Sequence, residues 1–216
     1  MSRRNLGLLG GALVLAGVLA MAGGALAGSM TTGWPSWPGW MGGGMGSWFE
    51  GSADESGASV APSQEQAFES AVPAGASVDR STNTVSFNSQ QIALTVLAAP
   101  PDGPDETFRV AGLTNPTIEV PEGARVTLQL VNADDGMPHN FLISDVQPPF
   151  PTMGMMMVSP MFGADTATLD EATGTELPAT NVIFTASSAG RFTYLCSVPG
   201  HAAAGMYGTW VVRAST

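Results

Sequence analysis

The chain has 216 residues, with seven Arg, no Lys and 18 Asp plus Glu, for a net charge of −11. So acidic a surface excludes nucleic acid as a partner, because phosphate backbones are bound by clustered cations. The single cysteine excludes an internal disulfide framework, while about 140 residues beyond the N-terminal segment suffice for one domain with its own core.

Residues 1–27 open Met1-Ser2-Arg3-Arg4 and then run without a charge from residue 6 to residue 27, ending Ala25-Leu26-Ala27. A basic start, an apolar stretch and a small-x-small site are an export signal, which places the protein in the periplasm or at the extracytoplasmic cell surface. Ser2-Arg3-Arg4 with Leu6 resembles a twin-arginine signal without its usual lysine. The uncharged stretch is also long enough to span a bilayer core of about 30 Å, so a cleaved signal and a retained anchor both fit. Without residues 1–27 the chain carries five Arg against 18 acids, net −13.

Residues 28–62 are rich in Gly, Trp, Pro, Ser and Met and lack periodicity, which reads as a flexible tether. The Trp residues at a membrane interface, or Met30, Met41 and Met45 on Cu(I), are the rival readings. Residues 63–77 begin with Ser63 and, three residues on, Gln66, a capping-box start for one short helix ending before Pro73. From residue 78 the pattern becomes short β-rich runs at 84–87, 91–99, 108–111, 117–120, 125–132, 140–145, 181–186, 191–197 and 207–213. Turn signals such as Pro121-Glu122-Gly123 separate them, so the spacing predicts an all-β sandwich over residues 78–216.

One long interruption, 146–180, contains Met153, Met155, Met156, Met157 and Met161. Connections of this length in a compact domain are usually functional. It could return over one end of the sandwich as an apolar cover, with soft core packing or a separate Cu(I) cluster as the other readings.

The last loop carries most of the chemistry. Cys196 closes one apolar run, Met206 opens the next, and His201 lies between them; the only other histidine, His139, opens an earlier run. One thiolate, two imidazoles and a thioether are the donor set of a one-copper electron-transfer site, with Cys196, His139 and His201 in a plane and Met206 as a weak axial donor. Copper would also protect the lone thiol of an exported protein.

The order His, then Cys-x4-His-x4-Met, resembles the cupredoxin family, the type 1 blue copper proteins with a Greek-key β-sandwich fold. Pro199-Gly200-His201 and Gly205-Met206-Tyr207-Gly208, with Gly112-Leu113-Thr114-Asn115-Pro116-Thr117 and Gln147-Pro148-Pro149-Phe150 upstream, are most similar to the rusticyanin and sulfocyanin branch. The resemblance implies one type 1 copper, electron exchange with redox proteins such as a cytochrome or terminal oxidase in a respiratory chain, and a monomer. It also implies that Asn140, where the rusticyanin branch has Ser, ties the two donor loops together near the Cys.

Two histidines leave none for a further copper, so an oxidase or reductase site is excluded and no catalytic residue is expected. The alternative is an extracytoplasmic copper-trafficking or storage protein that uses the Met-rich segments. Finally, no acid follows Glu176. The acidic face and the donor end are therefore expected to be separate, leaving a neutral apolar patch for a partner.

Overall fold

The computed structural model describes residues 58–104, 106–152 and 158–215. The expected export signal, most of the expected tether, and Met153, Met155, Met156 and Met157 lie outside the described residues. Among the described residues, no helix is long and apolar enough to cross a membrane.

Two mixed six-stranded sheets form the predicted sandwich. In chain order the strands are β1 (Ala58–Val60), β2 (Ala76–Asp79), β3 (Thr84–Phe87), β4 (Gln91–Ala98), β5 (Phe108–Val110), β6 (Leu113–Thr114), β7 (Thr117–Pro121), β8 (Arg125–Asn132), β9 (Leu142–Ser144), β10 (Leu177–Thr185), β11 (Gly190–Leu195) and β12 (Tyr207–Arg213). One sheet runs β1-β10-β8-β4-β5-β6 and the other β2-β3-β7-β12-β11-β9. Strand β12 thus joins a parallel neighbour, β7, to its antiparallel hairpin partner, β11.

Alternation explains the faces. Val126, Leu128 and Leu130 of β8 point inward and are fully buried, while Arg125 and Thr127 are exposed. They meet Val85, Phe87, Ile118, Tyr194 and Trp210 of the opposite sheet in one cluster. Each such side chain contributes about 1.5–3 kcal/mol by leaving water. At the far end of β4 and β8 the alternation stops, because the outer face is covered as well. Leu97, Val131, Leu177 and Ala179 form a second small cluster there, with Ala172 of the long connection over it. This double burial encloses Asn132, the last residue before the first histidine's loop.

Three local expectations differ from what is seen. Ala58–Val60, which composition leaves in the tether, pairs with residues 177–179 of β10; pairing uses backbone groups, so a three-residue edge strand needs no apolar signature. The helix begins as a 3-10 turn, Pro62–Gln64, followed by α1 (Glu65–Ser70). Its reciprocal bonds join Ala61 and Gln64 in place of Ser63 and Gln66, since Pro62 presets the first helical position and shifts the start by a residue or two. Glu69 of α1 pairs with Arg109 of β5, fixing this segment to the sheet. The third concerns His139, which precedes β9 by three residues and makes only an isolated bridge with Leu169.

The aromatic group under the donor end leaves no slack. Tyr194 stacks on Phe141 at 5.4 Å and donates its hydroxyl to the Pro116 carbonyl at 2.7 Å. Its cross-strand partner is Gly208, where a Cβ would lie 2.2 Å from the Tyr194 hydroxyl. Gly208→Ala should therefore cost about 1–3 kcal/mol by overpacking, visible as a lower melting temperature of the metal-free protein. An unchanged melting temperature would mean that the ring can shift.

Candidate metal centre

Four chain segments converge at one end of the sandwich. The loop 133–138 leaves β8, and buried Asn132 braces it. The Asn132 amide donates to the carbonyls of Met137 (3.0 Å) and Asp170 (2.8 Å), and its oxygen accepts from the Asp134 N–H (3.0 Å). His139 follows, held by two backbone bonds to Leu169, and Phe141 is held in turn by the Thr166 hydroxyl.

The other donors come from the β11–β12 connection. Gly200, with φ +92°, turns the chain into a single helical turn, α2 (His201–Ala204), which ends at Gly205 with φ +125°. The Met206 N–H donates back to the His201 carbonyl (2.9 Å), and the Cys196 N–H donates to the Met206 carbonyl (3.1 Å). Asn115 steadies the loop from outside by donating to the Gly205 carbonyl at 2.9 Å. The sequence did not suggest α2, because four residues give no helical periodicity.

The result is a compact triangle. Cys196 Sγ lies 3.8 Å from His139 Nδ1 and 3.7 Å from His201 Nδ1, and the two Nδ1 atoms are 3.1 Å apart. All three side chains are buried. Donors that share one ion at bond lengths of about 2.0–2.3 Å and angles of about 100–120° lie about 3.1–3.8 Å from one another. The donor set fits copper in particular, since a thiolate with imidazoles is what a blue-copper plane requires. Met206 is fully buried and bonded through its backbone to both Cys196 and His201, so the structure brings all four predicted residues to this end of the sandwich.

The surroundings favour a neutral His201 and oppose a free thiolate. Burial pushes the Cys196 thiol above its ordinary range, against the opposing effect of the Asn140 and Val198 N–H groups. His201 is pushed below the ordinary imidazole range, first by burial and then by the neighbouring His139. Ion binding would therefore displace a proton from sulfur and find the His201 imidazole ready. Asn140 joins the two loops as expected: its amide donates to Ser197 Oγ and its oxygen accepts from the Ser197 N–H, both at 2.7 Å.

The separation of acid from the donor end does not hold. Asp134 Oδ2 lies 2.9 Å from His139 Nε2. The absence of acids after Glu176 describes the Cys196 loop and its strands, whereas His139 follows the acidic turn Asp134-Asp135-Gly136. Burial works against ionisation of Asp134, but the bonds from His139 and the Gly136 N–H outweigh it and hold its carboxyl below the usual range. The long connection contributes an apolar wall on the other side, where Phe150 packs on Tyr207 beside Ala202.

This sandwich with a buried Cys and two His at one end is the architecture of a small copper protein. The family of copper binding proteins, plastocyanin/azurin family, matches residues 113–213. Rusticyanin of Acidithiobacillus ferrooxidans is 32% identical over 133 residues, covering 62% of this chain and 69% of that protein. Rusticyanin of Acidithiobacillus ferridurans is 31% identical over the same shares. In the solved 1.27 Å structure of rusticyanin from Thiobacillus ferrooxidans, the likeness has a TM-score of 0.66 at 28% identity, over 75% of this chain and 100% of that one. Reduced rusticyanin at 1.9 Å gives 0.65 at 29% identity, over 73% and 100%. The chain belongs to the cupredoxins, in their rusticyanin-like branch, and its cofactor is one type 1 copper ion.

Proposed function

We propose that this protein is an exported one-electron carrier, in which His139, Cys196, His201 and Met206 would hold the copper. The reading rests on the buried triangle of donor atoms, all within 4.8 Å of one another. Bound copper supplies the one-electron couple. The chain keeps the donors in place through both oxidation states, because Asn132, Asn140 and the α2 turn brace the loops through backbone and amide bonds. Little then has to move when an electron does.

His139 and His201 would both serve as ligands, so no histidine is left for a second copper, and the reading is of a carrier without catalysis. Its partners would be redox proteins such as a cytochrome or a terminal oxidase of a respiratory chain. They would approach the apolar side, where Ala203 and Ala204 are exposed next to buried Ala202. Residues 1–27 would act as signal or anchor, and the following segment as a tether leading into β1.

Voltammetry and metal analysis of Met206→Leu test this against copper storage. For a carrier, the variant keeps one copper and its blue colour, while its preference for Cu(I) over Cu(II) rises about tenfold, on the order of 59 mV for a one-electron couple. Combined replacement of Met153, Met155, Met156 and Met157 should leave the stoichiometry at one. A wild-type stoichiometry above one that falls with this Met replacement would establish storage instead.

A further inference from the structure

His139 is fully buried, and its Nε2 has one hydrogen-bond partner, the carboxylate of Asp134. A carboxylate only accepts, so Nε2 carries the ring proton and Nδ1 presents its lone pair to Cys196 and His201. The carboxylate is itself oriented. Its Oδ1 accepts the Gly136 N–H at 2.8 Å, and its backbone N–H is bound by Asn132. Among the described residues, the only ion-pair partner of Asp134 is His139. Its charge is thus directed at one imidazole, at the side-chain exposure of 18% that limits screening by water.

We infer that Asp134 is a positioning residue for the copper site, which fixes the His139 tautomer and, through its negative charge, stabilises Cu(II) relative to Cu(I) and lowers the reduction potential. The inference rests on His139 being a ligand. A neutral acceptor would fix the ring equally well; only a carboxylate also makes the imidazole more electron-donating. The full charge acts more strongly on the doubly charged ion than on the singly charged one. Asn140, the tuning residue visible in the sequence, acts on the Cys196 loop, whereas Asp134 acts on the opposite corner of the triangle.

Three variants of the copper-loaded protein test this: Asp134→Asn, Asp134→Ala and Asp135→Asn. Asp135 is exposed and adjacent in sequence, and its replacement removes the same charge without touching His139. Asp134→Asn should keep one copper and the blue band but shift the preference toward Cu(I) by about tenfold, read by voltammetry as about 59 mV upward. Asp134→Ala should in addition weaken copper binding by about 10–100-fold. Asp135→Asn should move the potential by less than a third as much. A blue Asp134→Asn protein with the wild-type potential, or one shifted no more than Asp135→Asn, would overturn the inference while leaving the ligand assignment standing. A wild-type protein that binds copper without a blue band would overturn both. If Asp134→Ala does not fold, the comparison of the two Asn variants still decides.

Discussion

Cys196→Ser will leave the sandwich folded and remove the blue colour completely. Colour and fold depend on different atoms here. The intense band of a blue-copper site arises from the thiolate bond, and Ser offers a hydroxyl that stays protonated where burial already raises the thiol's pKa. The core that holds the sheets, from Val85 to Trp210, makes no use of the sulfur's chemistry. The backbone bond from the Cys196 N–H to the Met206 carbonyl survives the change. Absorption and electron-spin spectra, with circular dichroism as the folding check, read out the two parts. An undiminished blue band in the variant would remove Cys196 from the plane and with it the proposed site.

Removing the metal will lower the melting temperature, and the metal-free protein will itself lose stability as the pH falls. The donors come from residue 139 and from residues 196–206, and the unfolded chain does not hold them together, so ion binding adds to folding stability. At a free-ion excess of about 1,000-fold over Kd the addition is about 4 kcal/mol. The acid dependence follows from His201. Its folded pKa lies below the ordinary value, so the unfolded state binds the proton more readily. Stability from this group is complete above about pH 6.5 and declines as the pH falls through the folded value. Melting curves of metal-free and copper-loaded protein between pH 5 and 8 check both statements. Coincident curves would mean that copper does not select the folded state.

The strands that the sequence made plain are those whose two faces differ. Residues 84–87, 125–132 and 207–213 begin and end where expected, because inward Val, Leu and Trp alternate with polar neighbours. Strand β6, two residues long, carries no such signal, and β10 begins four residues earlier than its pattern suggested because Leu177 and Ala179 face the second cluster. Among the candidate donors, the composition was itself informative: a chain with one Cys and two His offers few ways to build a site.

The carboxylate was missed for a different reason. Position along the chain separated Asp134 from the Cys196 loop by about sixty residues, and charge counted by segment placed it on an acid face. The available signal was local, an Asp in an Asp-Gly turn five residues before a candidate ligand. Such a turn folds back on the residues that follow it, which is where His139 lies. The placement of His139 also escaped the pattern. Its neighbours Phe141, Leu142 and Ile143 are apolar enough for a strand, but the partner of His139 is a short bridge to the long connection, and bridges leave no periodicity.

Strand β12 lies inside its sheet, between β7 and β11, and is also the final strand in the described chain. The sheet with β3, β7 and β9 therefore retains an open slot until residues 207–213 insert. During that interval Tyr194 has no Gly208 against it, and the cysteine sulfur is bare to oxidants and to adventitious thiophilic metals. Closure of the donor end is for this reason a late event in folding, and mutations that delay insertion of the last strand will prolong exposure of the Cys196 thiol.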